Sequence, residues 1–500
     1  MPQGFRDYSE ILHHHALVRG GRTAISQGND HITYALLEEN ANRFGNILKS
    51  SGLKAGERAV IALPDCPEVF YAFLGGMKCG AIPVLLGADM SQSAYEYIFD
   101  ETKPSALITI SSSDAVKAGA YALMPTLCID DRGYAEMSEK ASASLAPSPP
   151  SADGVDFLIY SSGSAGDPKG VPHSQGDMLF CAEQYAGKIL NMSEEDVVLS
   201  ISRLHFAYGL GNSLCFPVYS GASVVLPPFN SGPADIFHIF NLIEEQRPTL
   251  FFAVPTLYNM MVKTISERIS FPSLRLCVSA GEVLPAWLYN EWKNMTGLDI
   301  LNGIGSTESL HIFISNRTDK MSPGKTGIVV PGYEARIIGK DGRPLSSGKP
   351  GALLIRGRST APFYWRRQDM TAKTMLDDGW LNTGDVFTEQ DGCYTYQGRM
   401  DEMFKSSGKW VSPVKVEEVL AAHPAVLSCT VTSHPVEGLM KPLAYIVLKS
   451  GCENEAGLSL RMRSFVLERL PSYMCPVQFI FTEKIPKTGT GKINRVLKIK

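Results

Sequence analysis

The feature that most restricts the fold is a repeated succession of short, continuous apolar runs and longer amphipathic stretches, carried from the N-terminus to about residue 300. TYALLEENANRFGNILKSSG has the apolar period of a helix ending at Gly52, and RAVIAL, after a polar turn, reads as a strand. The longest apolar tract, VFYAFLGGMKCGAIPVLLGA, is broken by Lys78, several glycines and Pro83, so it predicts a helix, a turn and a buried strand and no transmembrane segment. VDFLIY (155–160), SVVLP, TLFFAV and LRLCVSAGE follow as buried-type strands. Fully apolar strands alternating with helices predict an α/β fold, its parallel or mixed sheets covered by helices and its ligands at the C-terminal strand ends.

The texture then changes. SASLAPSPPSADG (142–154) is a Pro/Ser/Ala-rich surface connector, and from about residue 325 closely spaced Gly and Pro with short alternating strands (GKTGIVV, GYEARIIG, GALLIRG) predict a small β-rich unit. Near the end, VEEVLAAHPAVLSCTVTSHP and LRMRSFVLERLPSYMCP predict two helices flanking a strand pair, a small α+β domain. The expected division is residues 1–400 and 401–500. A chain of 500 residues that is 44% apolar exceeds one core and excludes disorder and fibres.

Charge and cysteine usage narrow the function. Lys plus Arg (47) nearly balances Asp plus Glu (51), so nothing argues for broad nucleic-acid or membrane-surface binding, and an anionic ligand must be held locally. Ten cysteines without a CxxC pair, and a start (MPQGFRDYSEILHHH) without a signal-peptide pattern, point to a reducing cytoplasm. His13, His14 and His15 are consecutive on a predicted helix and point in different directions, so they make no metal site. Cys277 lies in an apolar strand without an adjacent base, which argues against a cysteine nucleophile.

Four strings carry chemistry. YSSGSAGDPKG (160–170) follows a strand and precedes a helix expected near Ser174; its backbone N–H groups and hydroxyls suit phosphate oxygens and Lys169 adds charge, although no Walker pattern runs through it. GIGSTES (303–309) sets Thr307 and Glu308 beyond a strand end, where a hydroxyl meets phosphate and a carboxylate holds Mg²⁺. NTGD (382–385) and GRMDEMFKSSGKWVSP (398–413) supply Asp385 and Arg399, a short carboxylate and a forked cation suited to ribose hydroxyls. PKTGTGK (486–492) ends in Lys492, by itself equally a solvated tail.

In this order and spacing the strings resemble the acyl-adenylate-forming (ANL) superfamily of acyl-CoA and aryl-CoA ligases, luciferases and nonribosomal adenylation domains. SRLHFAYGLGNSLCFPVYSGASVVL and GIGSTESLHIFISN resemble the benzoate-CoA ligases and their relatives acting on substituted benzoates. The resemblance implies a large N-terminal domain of two layered α/β subdomains with a small distorted β-barrel, then a mobile C-terminal domain hinged at Asp401. It implies that Ser161, Ser162, Gly163, Ser164, Gly166 and Lys169 embrace the β and γ phosphates, that Thr307 contacts phosphate and that Glu308 serves Mg²⁺. Gly281, Glu282, Asn302 and Gly303 would line the adenine pocket, with Asp385 and Arg399 on the ribose. Lys492 would bridge carboxylate and phosphate during adenylation, and Lys405, Ser407 and Gly408 would face the pantetheine of coenzyme A in the second half-reaction.

Phe206, Ala207, Tyr208, Gly303, Gly305, His311 and Ile312 would form a flat apolar slot in which the glycines leave room for a ring. Ala165 and Asp167 depart from the family loop, removing a hydroxyl and adding a carboxylate, so weakened ATP affinity is expected. The implied enzyme is an acid–thiol ligase, an ATP-, Mg²⁺- and CoA-dependent aryl-CoA ligase acting on benzoate, 2-aminobenzoate or a hydroxybenzoate as monomer or homodimer. One alternative is a stand-alone adenylating enzyme that loads a separate carrier protein; the other is a non-catalytic nucleotide or aryl-acid binding protein.

Overall fold

The computed structural model describes residues 4–122, 124–149, 153–161, 168–228, 236–264, 267–436, 439–449, 451–452, 455 and 457–485. Ser162, Gly163, Ser164, Ala165, Gly166, Asp167 and Lys492 lie outside the described residues.

Helix Tyr34–Ser50 starts where Thr33 accepts a hydrogen bond from the Leu36 N–H, and it buries Leu37, Ala41, Phe44, Ile47 and Leu48 along one face. Helix Pro67–Lys78 is apolar on all sides and lies against it. The two backbones meet at Gly75, where a Cβ would stand 2.1 Å from the Ala41 carbonyl oxygen.

Two sheets organise the larger part of the chain. In the six-stranded sheet, Arg58–Ala62, Ile82–Leu85, Ala106–Thr109, Thr126–Cys128 and Phe157–Ser161 run parallel, and Lys169–His173 closes one edge antiparallel. The nine-stranded sheet has a parallel centre that includes Val197–Ser200, Leu250–Ala253, Leu276–Ser279 and Ile300–Gly305. Thr23–Gln27, from the chain's beginning, joins it beside Ser223–Val225. The β-rich unit is a four-stranded antiparallel sheet of Tyr333–Ile338, Gly351–Gly357, Leu381–Gln390 and Cys393–Arg399, with Tyr394 bridged to Gly327.

From Phe404 onward the chain forms a separate core around Val411, Val416, Val431, Ile446 and Met462. It contains the hairpin Phe404–Ser406/Lys409–Val411, helices Pro413–Ala421 and Leu458–Leu467, and the expected strand pair Val426–Val436/Leu439–Leu448. A third strand, Gln478–Phe481, pairs parallel to Leu439–Leu448 and was not anticipated. The architecture is thus mixed α/β, with a large N-terminal and a smaller C-terminal part. Among the described residues no helix is long and apolar enough to cross a membrane.

Candidate active site

The singled-out residues are spread over several elements: Ser161 and Lys169 belong to the six-stranded sheet, Thr307 and Glu308 follow a parallel strand of the nine-stranded one, and Asp385 and Arg399 lie on the antiparallel four-stranded sheet. Ser161 ends Phe157–Ser161 and pairs with Lys169, so the 162–168 segment joins two antiparallel strands. This differs from the expected strand–loop–helix order: Lys169–His173 intervenes, and the helix Gln175–Cys181 begins only after Ser174, whose side chain and Asp177 form a reciprocal cap. Helix Gln175–Cys181 therefore does not follow the 162–168 segment directly along the chain.

Thr307 and Glu308 sit in a short 3₁₀ turn, Thr307–Ser309, immediately beyond Ile300–Gly305. The turn is fixed through its backbone. His173 Nε2–H donates to the Thr307 carbonyl at 2.8 Å, with Asp177 Oδ2 3.1 Å from Nδ1; the Ala361 N–H donates to the Glu308 carbonyl at 2.7 Å, and Ser359 Oγ to that of Ser309 at 2.9 Å. The Tyr364 hydroxyl donates to Glu308 Oε1 at 2.6 Å, and Lys169 Nζ stands 5.1 Å from the centre of the Tyr364 ring. Burial pulls Lys169 below its ordinary value while Glu308 opposes that shift. No local motif ties His173, Asp177 or Tyr364 to the turn at 307–309, so the sequence alone does not mark them.

Asn302 and Ser279 are register partners on adjacent strands, and Asn302 Nδ2–H donates to the Lys325 carbonyl at 3.2 Å. Ser279 Oγ is fully buried and has no hydrogen-bond partner among the described residues, so a polar ligand group would satisfy it. Gly281 follows with φ +87° and only Val254 Cγ1 near its Cβ direction, at 3.7 Å. Glu282 turns away to accept from the Thr256 N–H at 3.0 Å and its hydroxyl at 2.6 Å. Asp385 and Arg399 are also register partners. Arg399 Nη1–H donates to the Thr383 carbonyl at 2.8 Å and to Asp385 Oδ1 at 3.1 Å, and Nε lies 3.6 Å from Asp401. These carboxylates hold the guanidinium above its ordinary pKa against the cost of burial.

Phe206 precedes the helical stretch Ala207–Ser220, whose middle turn, Gly211–Cys215, is π-helical. That turn brings Asn212 Oδ1 within 3.1 Å of His311 Nε2. His311 is enclosed by Tyr185, Tyr208 and Phe216, with ring centroids 5.3, 5.7 and 4.5 Å away, and burial pushes it down to about 3. Burial thus favours the neutral ring, whose Nε2 meets Asn212. Gly211 admits it, since a Cβ there would lie 2.3 Å from His311 Cδ2. The glycines expected to leave room for a ligand instead accommodate the neighbouring strand Ile312–Ser315. A Cβ at Gly303 would meet Ile312 Cγ2 at 2.9 Å, and one at Gly305 the His311 carbonyl oxygen at 2.4 Å.

Lys405, Ser407 and Gly408 lie on the hairpin of the C-terminal part. Ser407 and Gly408 form its two-residue turn with φ +51° and +77°, and Lys441 Nζ–H donates to Ser407 Oγ at 2.9 Å. The remaining candidates are packing or surface residues. Burial pushes the Cys277 thiol up to about 12, His13 pairs with Glu38 at 2.9 Å, and His15 is buried and lowered to about 4.

The donor set fits a nucleotide with its divalent ion. A hard cation of the Mg²⁺ kind is commonly held by one or two carboxylates plus substrate phosphates, and Glu308 keeps one oxygen outside its bond with Tyr364 while Lys169 stands nearby. Strand-end residues of two α/β sheets, a half-buried cation–phenol–carboxylate row and a following small domain suit an adenylate-forming type of enzyme. Residues 12–365 match the AMP-binding enzyme family and residues 415–492 the AMP-binding enzyme C-terminal domain, and the chain belongs to that family. The benzoate–CoA ligase of Thauera aromatica is 37% identical over 510 residues, spanning 99% of this chain and 96% of that protein. An anthranilate CoA ligase solved in complex with anthranoyl-AMP superposes with a TM-score of 0.92 at 33% identity, over 99% of this chain and 96% of that one. A benzoate CoA ligase from Burkholderia xenovorans LB400 gives 0.89 at 34% identity, over 98% and 99%.

Proposed function

We propose that the protein is an ATP-dependent aryl-CoA ligase that converts benzoate or an amino- or hydroxybenzoate to its acyl-adenylate and then to the CoA thioester, releasing pyrophosphate and AMP. The observation that carries this reading is the row in which the Tyr364 hydroxyl meets Glu308 and the Lys169 ammonium faces the Tyr364 ring, beside Thr307. The names of the similar ligases support the same substrate class.

A carboxylate is a weak nucleophile towards phosphorus, so positioning and charge neutralisation supply most of the acceleration. In this reading Ser161, Lys169 and the intervening segment hold the triphosphate, while Thr307 donates to a phosphate oxygen. Glu308 holds Mg²⁺, which would screen the negative charges of acid and triphosphate. Ser279, Gly281, Asn302 and Gly303 border the adenine, and Glu282 contributes through Thr256. Asp385, held by Arg399, accepts from ribose hydroxyls. Phe206, Ala207, Tyr208, Ile312 and His311 wall the acid's ring. Residues 401–500 carry Lys492 to the carboxylate for adenylation, then turn about Asp401 to present Lys405, Ser407 and Gly408 to pantetheine. A cytoplasmic location fits the ten free cysteines.

The test is a panel of benzoates incubated with ATP, Mg²⁺ and CoA, with AMP and acyl-CoA followed by mass. Thioester formation with at least one aryl acid is expected. Adenylate without thioester would transfer the activity to loading a carrier protein, and neither product with any aryl acid would overturn the reading.

A further inference from the structure

Tyr364 occupies the middle of the row formed by Lys169 and Glu308, and nothing in the proposed chemistry has yet used it. Its side chain is buried, packed with Val171 and Ala361, and its hydroxyl donates to Glu308 Oε1 at 2.6 Å. On the ring's face, the Lys169 ammonium is 5.1 Å from the centroid, within cation–π reach.

The backbone around Tyr364 is tied to both partners. At one end the Ala361 N–H donates to the Glu308 carbonyl at 2.7 Å; at the other the Trp365 N–H donates to the Gly170 carbonyl, next to Lys169, at 2.8 Å. Between them the Tyr364 N–H donates to Thr371 Oγ1 at 2.9 Å. Gly170 permits this approach, since a Cβ there would lie 3.1 Å from Trp365 Cβ. The segment therefore straps the strand carrying Lys169, from the six-stranded sheet, to the turn carrying Glu308, beyond the nine-stranded one.

We propose that Tyr364 is a positioning residue of the metal–nucleotide site: its hydroxyl fixes one oxygen of Glu308 so that the other faces the divalent ion, and its ring seats the Lys169 ammonium. The inference rests on the reading of Glu308 and Lys169 as groups that meet Mg²⁺ and the triphosphate. A donor bonded to a metal-binding carboxylate sets its orientation, and loss of such a partner commonly weakens metal affinity by about 10- to 100-fold.

The experiment is calorimetric titration of ATP into the full chain, in EDTA and in Mg²⁺, without aryl acid or CoA. Tyr364→Phe keeps the ring under Lys169 and removes only the hydroxyl. It is expected to bind metal-free ATP within about twofold of the parent, while the extra affinity contributed by Mg²⁺ falls about tenfold. Tyr364→Leu removes the ring as well and is expected to weaken metal-free ATP binding by a further factor of about three. In a Glu308→Gln background the Mg²⁺-dependent effect of Tyr364→Phe should vanish, whereas a purely structural tyrosine would lower the unfolding temperature alike in both backgrounds. If Tyr364→Phe fails to fold, Tyr364→Leu and the Glu308→Gln pair carry the same comparison. An unchanged Mg²⁺ gain in Tyr364→Phe, with the gain lost in Glu308→Gln, overturns the role of Tyr364 alone. A gain that survives in Glu308→Gln overturns the assignment of Glu308, and the proposal with it.

Discussion

Arg399 meets the Thr383 carbonyl and the Asp385 carboxylate through one nitrogen and faces Asp401 with another, a division that a planar fork allows and an ammonium does not. Arg399→Lys is therefore expected to leave Asp385 partly unheld and to raise the KM for ATP about tenfold, the equivalent of about 1.4 kcal/mol, with little change in the KM for the aryl acid. Initial rates at varied ATP and varied acid check it, and an equal rise in both constants would refute the ribose-side role. Lys169, Glu308, Asp385 and Arg399 are legible in the sequence because each sits in a short string whose residue types already suit an anion, a cation or a hydroxyl. Tyr364 and His173 are not, since a tyrosine in APFYWRR or a histidine in KGVPH acquires meaning only when a distant turn is brought against it.

At the scale of elements, the close pairing of Ile300–Gly305 with Ile312–Ser315 requires glycine at two positions for different reasons. At Gly303 the obstacle is the tip of a side chain, and at Gly305 it is the His311 backbone. Gly303→Ala is expected to destabilise the protein by about 1–3 kcal/mol and to recover in part with Ile312→Ala, whereas Gly305→Ala should be worse and not be rescued by it. Urea unfolding of the single and double variants tests this; equal rescue of both would contradict the geometry. The helix and strand pattern up to residue 300 is readable because apolar periodicity is local. The strand Lys169–His173 and the third C-terminal strand are not, because KGVPH and QFIF are too short to declare themselves without their partners.

For the whole molecule, the two half-reactions should separate. On the proposed domain alternation, Lys492→Ala is expected to lower adenylation by orders of magnitude yet leave thioester formation from supplied acyl-adenylate near the parent rate; equal loss of both would refute that alternation. Stability against pH is also set globally. Burial lowers His15 and His205 to about 4 and His311 to about 3, so the unfolded chain takes up these protons first and stability falls as pH drops below about 6.5. Burial raises Asp65 to about 6 and Glu418 to about 7, so the folded chain holds those protons and stability rises as pH falls through the same range. The opposing signs offset only in part, so stability is expected to fall modestly between about pH 7.5 and 5.5. Glu418→Gln removes one gain and should lose about 1–2 kcal/mol more than the parent over that interval in urea titrations; parallel profiles would rule this out.

The sequence by itself determined the α/β class, the change of texture near residue 325 and the small C-terminal part, and it marked the short strings whose residue types suit phosphate and ribose, because periodicity, turn chemistry and short strings are local properties of a chain. Only the tertiary structure decided that Thr23–Gln27 joins the nine-stranded sheet, that Gly303 and Gly305 accommodate a strand, that Glu282 turns to Thr256, and that Tyr364 stands between Lys169 and Glu308. Each of these depends on groups far apart in sequence meeting at van der Waals or hydrogen-bond distance, and such contacts exist only once the two sheets are packed.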